Sequence, residues 1–278
     1  MTISVQHITQ QQFSTPTRVE NYCIFMFEGN GTFAVEATEY TYAPYTLLFL
    51  SPYQYFQWQE GTCPDAKLLQ FHGDFYCIEY HKKEVACNGF LFNALFLQPH
   101  IAVSRAVFDE IVSLFGKIAT EMAEENAFSE AVLRSYLQLI LALSSKEKSA
   151  LLVEKPLQTE HQLVADFQQL LEKHFIEERE LPFYASQLYL SPDAFSKKLK
   201  KLLGKTPTKL LQERLVLEAK KQLHLTYKSI KEIAFDLNFD DEFYFSRFFK
   251  KHVGLSPKHF REKVGISVVA GQPAEMSM

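Results

Sequence analysis

The C-terminal part of this 278-residue chain contains an internal repeat, and this repeat constrains the fold more than any other feature. The segment LSPDAFSKKLKKLLGKTPTKL (Leu190–Leu210) matches DDEFYFSRFFKKHVGLSPKHF (Asp240–Phe260) at an offset of 50 residues. The coinciding residues are Phe195 with Phe245, Ser196 with Ser246, Lys197 with Arg247, Lys200 and Lys201 with Lys250 and Lys251, Gly204 with Gly254, and Pro207 with Pro257. Upstream, FYASQLYLS (Phe183–Ser191) matches EIAFDLNFD (Glu232–Asp240) one residue out of step. A repeat of this period indicates a duplicated supersecondary unit.

Each copy of the repeat predicts a short helix, a tight turn and a second helix. Ala185 and Ala234 supply the small side chain that such a motif needs where its two helices cross closely. Gly204 and Gly254 stand at the end of the second helices, where glycine accepts a left-handed backbone conformation. The repeat therefore predicts two helix-turn-helix units.

Capping residues lie at the predicted helix starts. Ser191 precedes Pro192, so we expect the second helix of the first copy to begin there. In the second copy, Ser229 and Glu232 have the spacing of a capping box for the first helix. Asp240 is the expected cap of the helix that follows.

Two further helices are predicted after the units, at Thr206-Pro207 and at Ser256-Pro257. The first would run to about Leu223 and be roughly 27 Å long. A connection of that length can hold two recognition helices about one DNA turn, roughly 34 Å, apart on one face of a duplex.

The charge of the chain is divided unequally along its length. Residues 181–264 contain 17 Lys and Arg against 9 Asp and Glu, a net charge of +8, whereas the whole chain carries −4. The remainder therefore carries −12. Such segregation is typical of a chain of which one end meets a polyanion, although a solvated helical surface would give the same count.

The segment IKEIAFDLNFDDEFYFSRFFKKHVGLSPKHFRE (Ile230–Glu262) resembles the signature of the AraC/XylS family of transcription regulators. The resemblance extends over about 162–262 and implies a DNA-binding domain with two recognition helices. It implies that the residues facing base edges are Asp193, Ala194, Ser196 and Lys197 on the first helix and Glu242, Phe243, Ser246 and Arg247 on the second.

The chemistry of these residues agrees with that role in part. Arg247 can make a bidentate contact with guanine, which Lys197 can only approximate as a point donor. The chemistry places positive charge on one helix through five lysines, Lys197, Lys198, Lys200, Lys201 and Lys205. The candidates for phosphate contacts are Lys200, Lys201, Lys250, Lys251 and the helix start at Ser256.

Residues 1–100 favour β-strands. Asn21–Tyr40 predicts two strands separated by a Gly-Asn-Gly turn, and Thr46–Pro52 and Lys67–Tyr80 are further strand-like runs. Short strands at this spacing indicate a small sandwich or barrel. The resemblance implies a cupin-like β-barrel that binds an effector or mediates dimers.

The pattern then becomes helical. Val103–Met122 and Ser129–Lys148 each place apolar residues on one helical face and predict a helical hairpin. This hairpin either packs on the barrel or forms a dimer contact. We therefore predict an α+β fold with two domains. Its parts are a cupin-like β-barrel sensor domain (1–100), the hairpin as candidate dimerisation element (101–148), a linker (149–160), an all-α double helix-turn-helix domain (161–264) and a flexible tail (265–278).

An effector pocket in the barrel is conceivable, lined by Phe25, Phe27, Phe49, Trp58 and His72, although the same residues are also expected of a plain barrel core. The histidines in this half, His7, His72, His81 and His100, lack the clustered spacing of a metal site, so we expect neither a metal nor another cofactor. Cys23, Cys63, Cys77 and Cys87 show no ligand spacing either, and are expected to be reduced and buried.

The leading hypothesis is a sequence-specific DNA-binding transcription regulator that forms a homodimer. Its expected partners are double-stranded promoter DNA, a small-molecule effector and, if it is an activator, RNA polymerase. A second hypothesis is an enzyme with a DNA-binding appendage, which would need a reactive cysteine motif or a cysteine cluster that the sequence lacks. A third is an interaction protein without an effector. No signal peptide or membrane span is apparent, so a cytoplasmic protein is expected. Because the cysteine motifs are missing, we expect that the protein is not an enzyme.

Overall fold

The computed structural model describes residues 3–36, 38–62, 66–73, 75–76, 91–92, 95–124, 126–153 and 159–266. They fall into two compact units, the first within Met1–Ala94 and Gln98–Lys155 and the second within Leu95–Leu97 and Pro156–Met278. Expectations for Cys63, Cys77, Cys87, His81, 154–158 and 267–278 lie outside the described residues.

The first compact unit contains two antiparallel sheets. Its strands are β1 (Ile3–Ile8), β2 (Thr17–Arg18), β3 (Tyr22–Phe27), β4 (Asn30–Val35), β5 (Thr38–Tyr42), β6 (Thr46–Leu50), β7 (Tyr55–Thr62), β8 (Ala66–Phe71) and β9 (His100–Ala102). One sheet has the order β1-β8-β3-β6-β9 and the other β2-β7-β4-β5. The Gly-Asn-Gly segment therefore joins strands of different sheets, since β3 pairs with β6 and β8 while β4 pairs with β5 and β7.

The five-stranded sheet is covered on both faces, which explains why β3 and β6 are almost continuously apolar. On one face, Phe25 and Leu48 pack with residues of the four-stranded sheet to form the interior of a sandwich. On the other face, Ile24 and Leu47 pack with two helices. Strands with one solvated face would instead alternate between apolar and polar residues.

The helices on that face are α1 (Arg105–Glu124) and α2 (Ser129–Val153). Their predicted apolar faces are largely buried in the unit's own core, including Ile111, Phe115 and Leu137. Packing of the hairpin on the sheet is thus observed, while Leu139 of α2 stays exposed. Ser129 begins α2, but its hydroxyl contacts Glu121 rather than capping the helix.

The five residues expected to line an effector pocket are divided between two cores. Phe25, Phe27 and Trp58 lie in the sandwich interior, with 5.1 Å between the ring centroids of Phe27 and Trp58. Phe49 lies on the opposite face of the five-stranded sheet, because adjacent residues of a strand point in opposite directions. His72 follows β8 and is half-buried. These residues therefore do not line one pocket.

The second compact unit is helical. Its helices are α3 (Thr159–His174), α4 (Leu181–Gln187), α5 (Pro192–Leu203), α6 (Pro207–Leu225), α7 (Ile230–Asp236), α8 (Glu242–Val253) and α9 (Pro257–Val264). The predicted starts at Pro192, Pro207 and Pro257 are confirmed, each preceded by a Ser or Thr whose side chain accepts a backbone N–H bond. In the part of the chain that is described, no helix is both long and apolar enough to cross a membrane.

Candidate nucleic-acid interface

The two copies of the repeat fold into two units of equal dimensions, here called the first unit (α4 and α5) and the second unit (α7 and α8). The leading helices have 7 residues each and the following helices 12 each. Their turns match as well, because Tyr189 and Asn238 both have a left-handed φ of 56°. In each turn the next residue donates its N–H to the carbonyl of the small alanine, Ala185 or Ala234, over 2.9 Å.

The caps of the two second helices differ, and the cap of α8 is not the predicted Asp240. The Ser191 hydroxyl accepts a bond from the Ala194 N–H at 3.3 Å. In the second unit the cap is Asp241, not Asp240, and its carboxylate accepts bonds from the N–H groups of Phe243 and Tyr244, both at 2.7 Å. The repeat offset is 49 residues through the turn and 50 from the cap onward, so Asp240 is one additional residue in the second unit.

Both second helices end at the predicted glycines. Gly204 and Gly254 have φ of 70° and 80°, and their N–H groups bond to the carbonyls of Lys200 and Lys250 at 2.9 and 2.8 Å. A Cβ atom at Gly204 would meet nothing within 4 Å. At this position glycine is therefore needed for its backbone conformation rather than for space.

The inner faces of the second helices are fixed by aromatic packing. Phe195 of α5 is fully buried and makes an edge contact with Phe167 of α3, at 5.2 Å between centroids. Phe245 and Phe249 of α8 are fully buried as well, with Phe249 5.4 Å from Phe260 of α9. Burial of these rings leaves the opposite face of each helix outward, and that face carries the candidate contacts.

The outward face of α5 is dominated by lysine. Asp193 is exposed, Ala194 and Ser196 are half-buried, and the lysines on this helix, Lys197, Lys198, Lys200 and Lys201, are exposed. Lys205 does not belong to this face, contrary to expectation, because it follows the helix end at Gly204. Its ammonium group lies 2.9 Å from the Glu213 carboxylate.

The outward face of α8 combines one arginine with two aromatic rings. Phe243 and Tyr244 are 70% and 51% exposed, and Arg247, Lys250 and Lys251 are exposed. Glu242 and Ser246 are half-buried.

The offset of 50 that relates the second helices also relates their candidate contacts. At the offset of 50, Asp193, Ala194, Ser196 and Lys197 correspond to Phe243, Tyr244, Ser246 and Arg247. Sequence reasoning thus missed Tyr244 and named Glu242 instead, which corresponds to Pro192. The same offset, applied to Ala194, points to Tyr244.

The last candidate, Ser256, caps α9. Its hydroxyl accepts the His259 N–H at 3.3 Å and lies 2.8 Å from His259 Nδ1. The first backbone amides of α9 are thus placed at an ordered helix start, where helix geometry favours an anion.

Two ionisable groups of the second unit have displaced pKa values. Burial lowers the pKa of His252 below its ordinary value, and the charges of Lys209 and Lys251 lower it further. Both effects favour the neutral form of the His252 imidazole. Hydrogen bonds from Ser229 lower the pKa of the Glu232 carboxyl, and these bonds form the predicted capping box.

The connecting helix α6 is packed between the units. Its Arg214 pairs with Glu172 of α3 at 2.9 Å and with Glu218 at 3.2 Å, and the guanidinium carbon lies 4.0 Å from the Phe175 ring centroid. Phe248 of α8 also packs against the core cluster that contains Phe195 of the first unit. The two units therefore share part of their packing.

The helical part of the chain is similar to known helix-turn-helix proteins. A family model described as a helix-turn-helix domain matches residues 184–263. Among curated relatives, the HTH-type transcriptional activator RhaS of Enterobacter sp. (strain 638) is 27% identical over 163 residues, which cover 59% of this chain and 57% of the relative. The arabinose operon regulatory protein of Salmonella typhimurium is 28% identical over 149 residues, covering 53% of this chain and 52% of the relative. The chain thus spans a little more than half the length of the curated relatives it matches.

Solved structures give similar matches. The C-terminal domain of AraT, a response regulator from Geobacillus stearothermophilus, is 34% identical. The match covers 38% of this chain and 88% of the AraT domain, with a TM-score of 0.37. An apo form of ToxT from Vibrio cholerae strain SCE256 is 12% identical and covers 95% of this chain and 97% of its own, with a TM-score of 0.43.

Proposed function

We propose that the chain is a sequence-specific DNA-binding transcription regulator of the AraC/XylS type, because residues 184–263 match a helix-turn-helix family model and the curated relatives it resembles are transcription regulators. In this proposal α5 and α8 enter successive major grooves on one face of a duplex. The observation that carries it is the duplication of the whole unit. Helix lengths, turn conformation and C-terminal glycine are repeated, and both outward faces end in exposed lysines.

The dimensions support insertion of both helices. A major groove about 12 Å wide admits one α-helix, and successive grooves on one face are roughly 34 Å apart. The 19 residues of α6 span about 28 Å, which is of the required order. Lys200, Lys201, Lys250 and Lys251 lie one turn beyond the candidate base contacts and suit phosphates.

Binding of the full-length protein to duplex DNA over a range of salt concentrations tests this proposal. Contact with about six phosphates predicts a log–log salt slope of about −5. Lys146→Gln, which removes an exposed lysine of α2 in the first compact unit, is a matched control and should leave the slope unchanged. A flat salt response contradicts the assignment of this surface to DNA. So does a Lys146→Gln variant that reduces the magnitude of the slope as much as Lys200→Gln does.

We further propose that the β-sandwich and its helices sense an effector, mediate a homodimer, or do both, and that RNA polymerase is a partner if the protein activates transcription. Exposed Leu139 and Leu151 of α2 support a dimer contact, although most of the apolar surface that predicted it is buried within the chain. Sedimentation of the full chain at several concentrations tests this point. Strictly monomeric behaviour, with and without DNA, counts against the dimer and leaves the regulator assignment intact.

A further inference from the structure

Arg179 links the two helix-turn-helix units. It lies between α3 and α4, at the entrance to the first unit, but its side chain reaches the turn of the second unit. Its Nη2 donates hydrogen bonds to the carbonyl oxygens of Leu237 and Asn238, the latter at 2.8 Å. The guanidinium carbon lies 4.1 Å from the centroid of the Phe239 ring. One side chain thus contacts three consecutive residues of that turn.

The contact uses properties particular to arginine. A planar guanidinium can stack on a ring and donate within its own plane to carbonyl oxygens at the same time, whereas an ammonium group cannot. Arg179 is half-buried, and its Nε is buried with no hydrogen-bond partner among the described residues. The two acceptors lie at the C-terminal end of α7, where backbone carbonyls favour a cation.

The net effect of its surroundings is to lower the pKa of the Arg179 guanidinium, but an arginine side chain stays charged at neutral pH. Burial lowers the pKa of the Arg179 guanidinium, while Tyr244 and Asp240 raise it. Asp240 is the additional residue of the second unit, and Tyr244 belongs to the outward face of α8. The side chain therefore lies beside the residues that lead from the turn into the second recognition helix.

The repeat supplies an internal comparison for this contact. At the offset of 49 that holds through the turns, the counterpart of Arg179 is Lys228. Lys228 forms its ion pair inside the second unit, with 2.6 Å between its ammonium nitrogen and the Asp236 carboxylate. Each residue precedes the leading helix of its unit, but of the two, Arg179 makes the contact that crosses between units.

We propose that Arg179 is a positioning residue that fixes α8 relative to α5. It thereby sets the spacing that the protein accepts between the two stretches of duplex contacted by α5 and α8. The inference rests on the proposed function as far as DNA is concerned. Only Asp240 separates the residues that Arg179 contacts from Asp241, the cap of α8, so restraint of the turn restrains the start of the helix. Phe248 anchors the same helix further along, and two points fix the direction of a rod where one does not.

The first experiment needs no DNA. Hydrogen exchange of the full chain is compared for the wild type, Arg179→Met, Arg179→Gln and Lys228→Met. Both Arg179 variants should exchange about tenfold faster in peptides covering 237–245, because the turn loses its side-chain contacts. Peptides covering 188–195, the equivalent turn, should be unchanged in every variant. An unchanged second turn in both Arg179 variants overturns the proposal, as does the same increase in Lys228→Met.

The second experiment measures spacing preference. A preferred sequence is selected with the wild type from a random duplex pool, and affinity is measured with one base pair removed or added between its halves. The wild type should lose about tenfold or more at each altered spacing, whereas Arg179→Met should bind the original spacing about five- to tenfold more weakly and discriminate less. Arg179→Lys should restore little of this, and Lys228→Met should keep the wild-type profile.

The outcomes separate this proposal from the proposed function. If the wild type selects no sequence, the regulator assignment fails, while hydrogen exchange still decides whether Arg179 positions the second unit. If Arg179→Met lowers affinity equally at every spacing, Arg179 acts on affinity alone and the positioning role is overturned. Arg179→Gln, which keeps a polar side chain at the site, serves in both experiments should the methionine variant fold poorly.

Discussion

The two helix-turn-helix units share their framework and differ in the surface they present. Turn conformation, helix lengths and C-terminal glycines are common to both. Outward, α5 presents four lysines, whereas α8 presents Arg247, two lysines and the exposed rings of Phe243 and Tyr244. Duplication has kept the residues that determine folding and has changed those that would face a ligand.

This difference has a chemical meaning under the proposed function. Lysine is a compact point charge suited to phosphates, whereas arginine can contact guanine in a bidentate manner and an aromatic ring can contact the thymine methyl group. We therefore expect α5 to contribute more to salt-dependent affinity and α8 more to base preference.

The shared framework predicts equal losses at equivalent core positions. Phe195→Ala and Phe245→Ala each remove a fully buried ring, and each should lower the free energy of unfolding by about 3–5 kcal/mol. Chemical denaturation of the full chain, followed by circular dichroism, measures the loss. A cost several-fold smaller in one unit would show that the cores are not equivalent.

The divergent surface predicts unequal losses at the equivalent positions 197 and 247. Arg247→Ala should cost about 1–3 kcal/mol on the selected sequence and relax base preference at one position. Lys197→Ala should cost less and leave the preference unchanged. Binding to the selected sequence and to its single-base variants measures both. Equal losses on selected and random DNA for Arg247→Ala contradict its assignment as a base contact.

The caps predict a smaller difference, and they also test the corrected position. Asp241 accepts two N–H bonds and places a negative charge at the start of α8, whereas Ser191 accepts one bond. Asp241→Ala should therefore destabilise by about 1–2 kcal/mol and Ser191→Ala by about 0.5–1 kcal/mol. Asp240→Ala should change stability by no more than about 0.5 kcal/mol. A larger loss for Asp240→Ala than for Asp241→Ala would reverse the cap assignment.

The smallest effect is expected for single lysines that contact phosphates. Lys250→Ala and Lys200→Ala should each reduce the magnitude of the salt slope by about 0.9 and weaken selected and random sequences to the same extent. Anisotropy titrations at several salt concentrations give both quantities. A sequence-dependent loss for either variant would move that lysine into the set of base contacts.

Local signals in the sequence predicted much of the structure of the two helix-turn-helix units. Gly204, Gly254, the Ser229–Glu232 capping box and the proline starts are each decided by backbone chemistry within a few residues, and the structure confirms them. The cap of α8 was predicted wrongly because two adjacent aspartates satisfy the same local rule. Only the position of the turn relative to the helix distinguishes Asp240 from Asp241.

Long-range features were less accessible from the sequence. The Gly-Asn-Gly segment gives no sign that β3 and β4 belong to different sheets. Their apolar residues would be buried whether the two strands paired with each other or with strands of separate sheets. Phe49 was grouped with Phe25 because both are aromatic strand residues, but strand register places them on opposite faces. Arg179 carries no local motif, and its partners follow about 60 residues later along the chain.

The additional residue Asp240 determines how findings on one unit are transferred to the other. Each residue along an α-helix turns by about 100° around the axis, so an error of one position moves a side chain by more than a quarter of the circumference. With a single offset of 49 applied throughout, the counterpart of Lys197 would be Ser246, which is half-buried, instead of exposed Arg247. A substitution map of this region therefore has to be aligned in two segments, joined at Asp240.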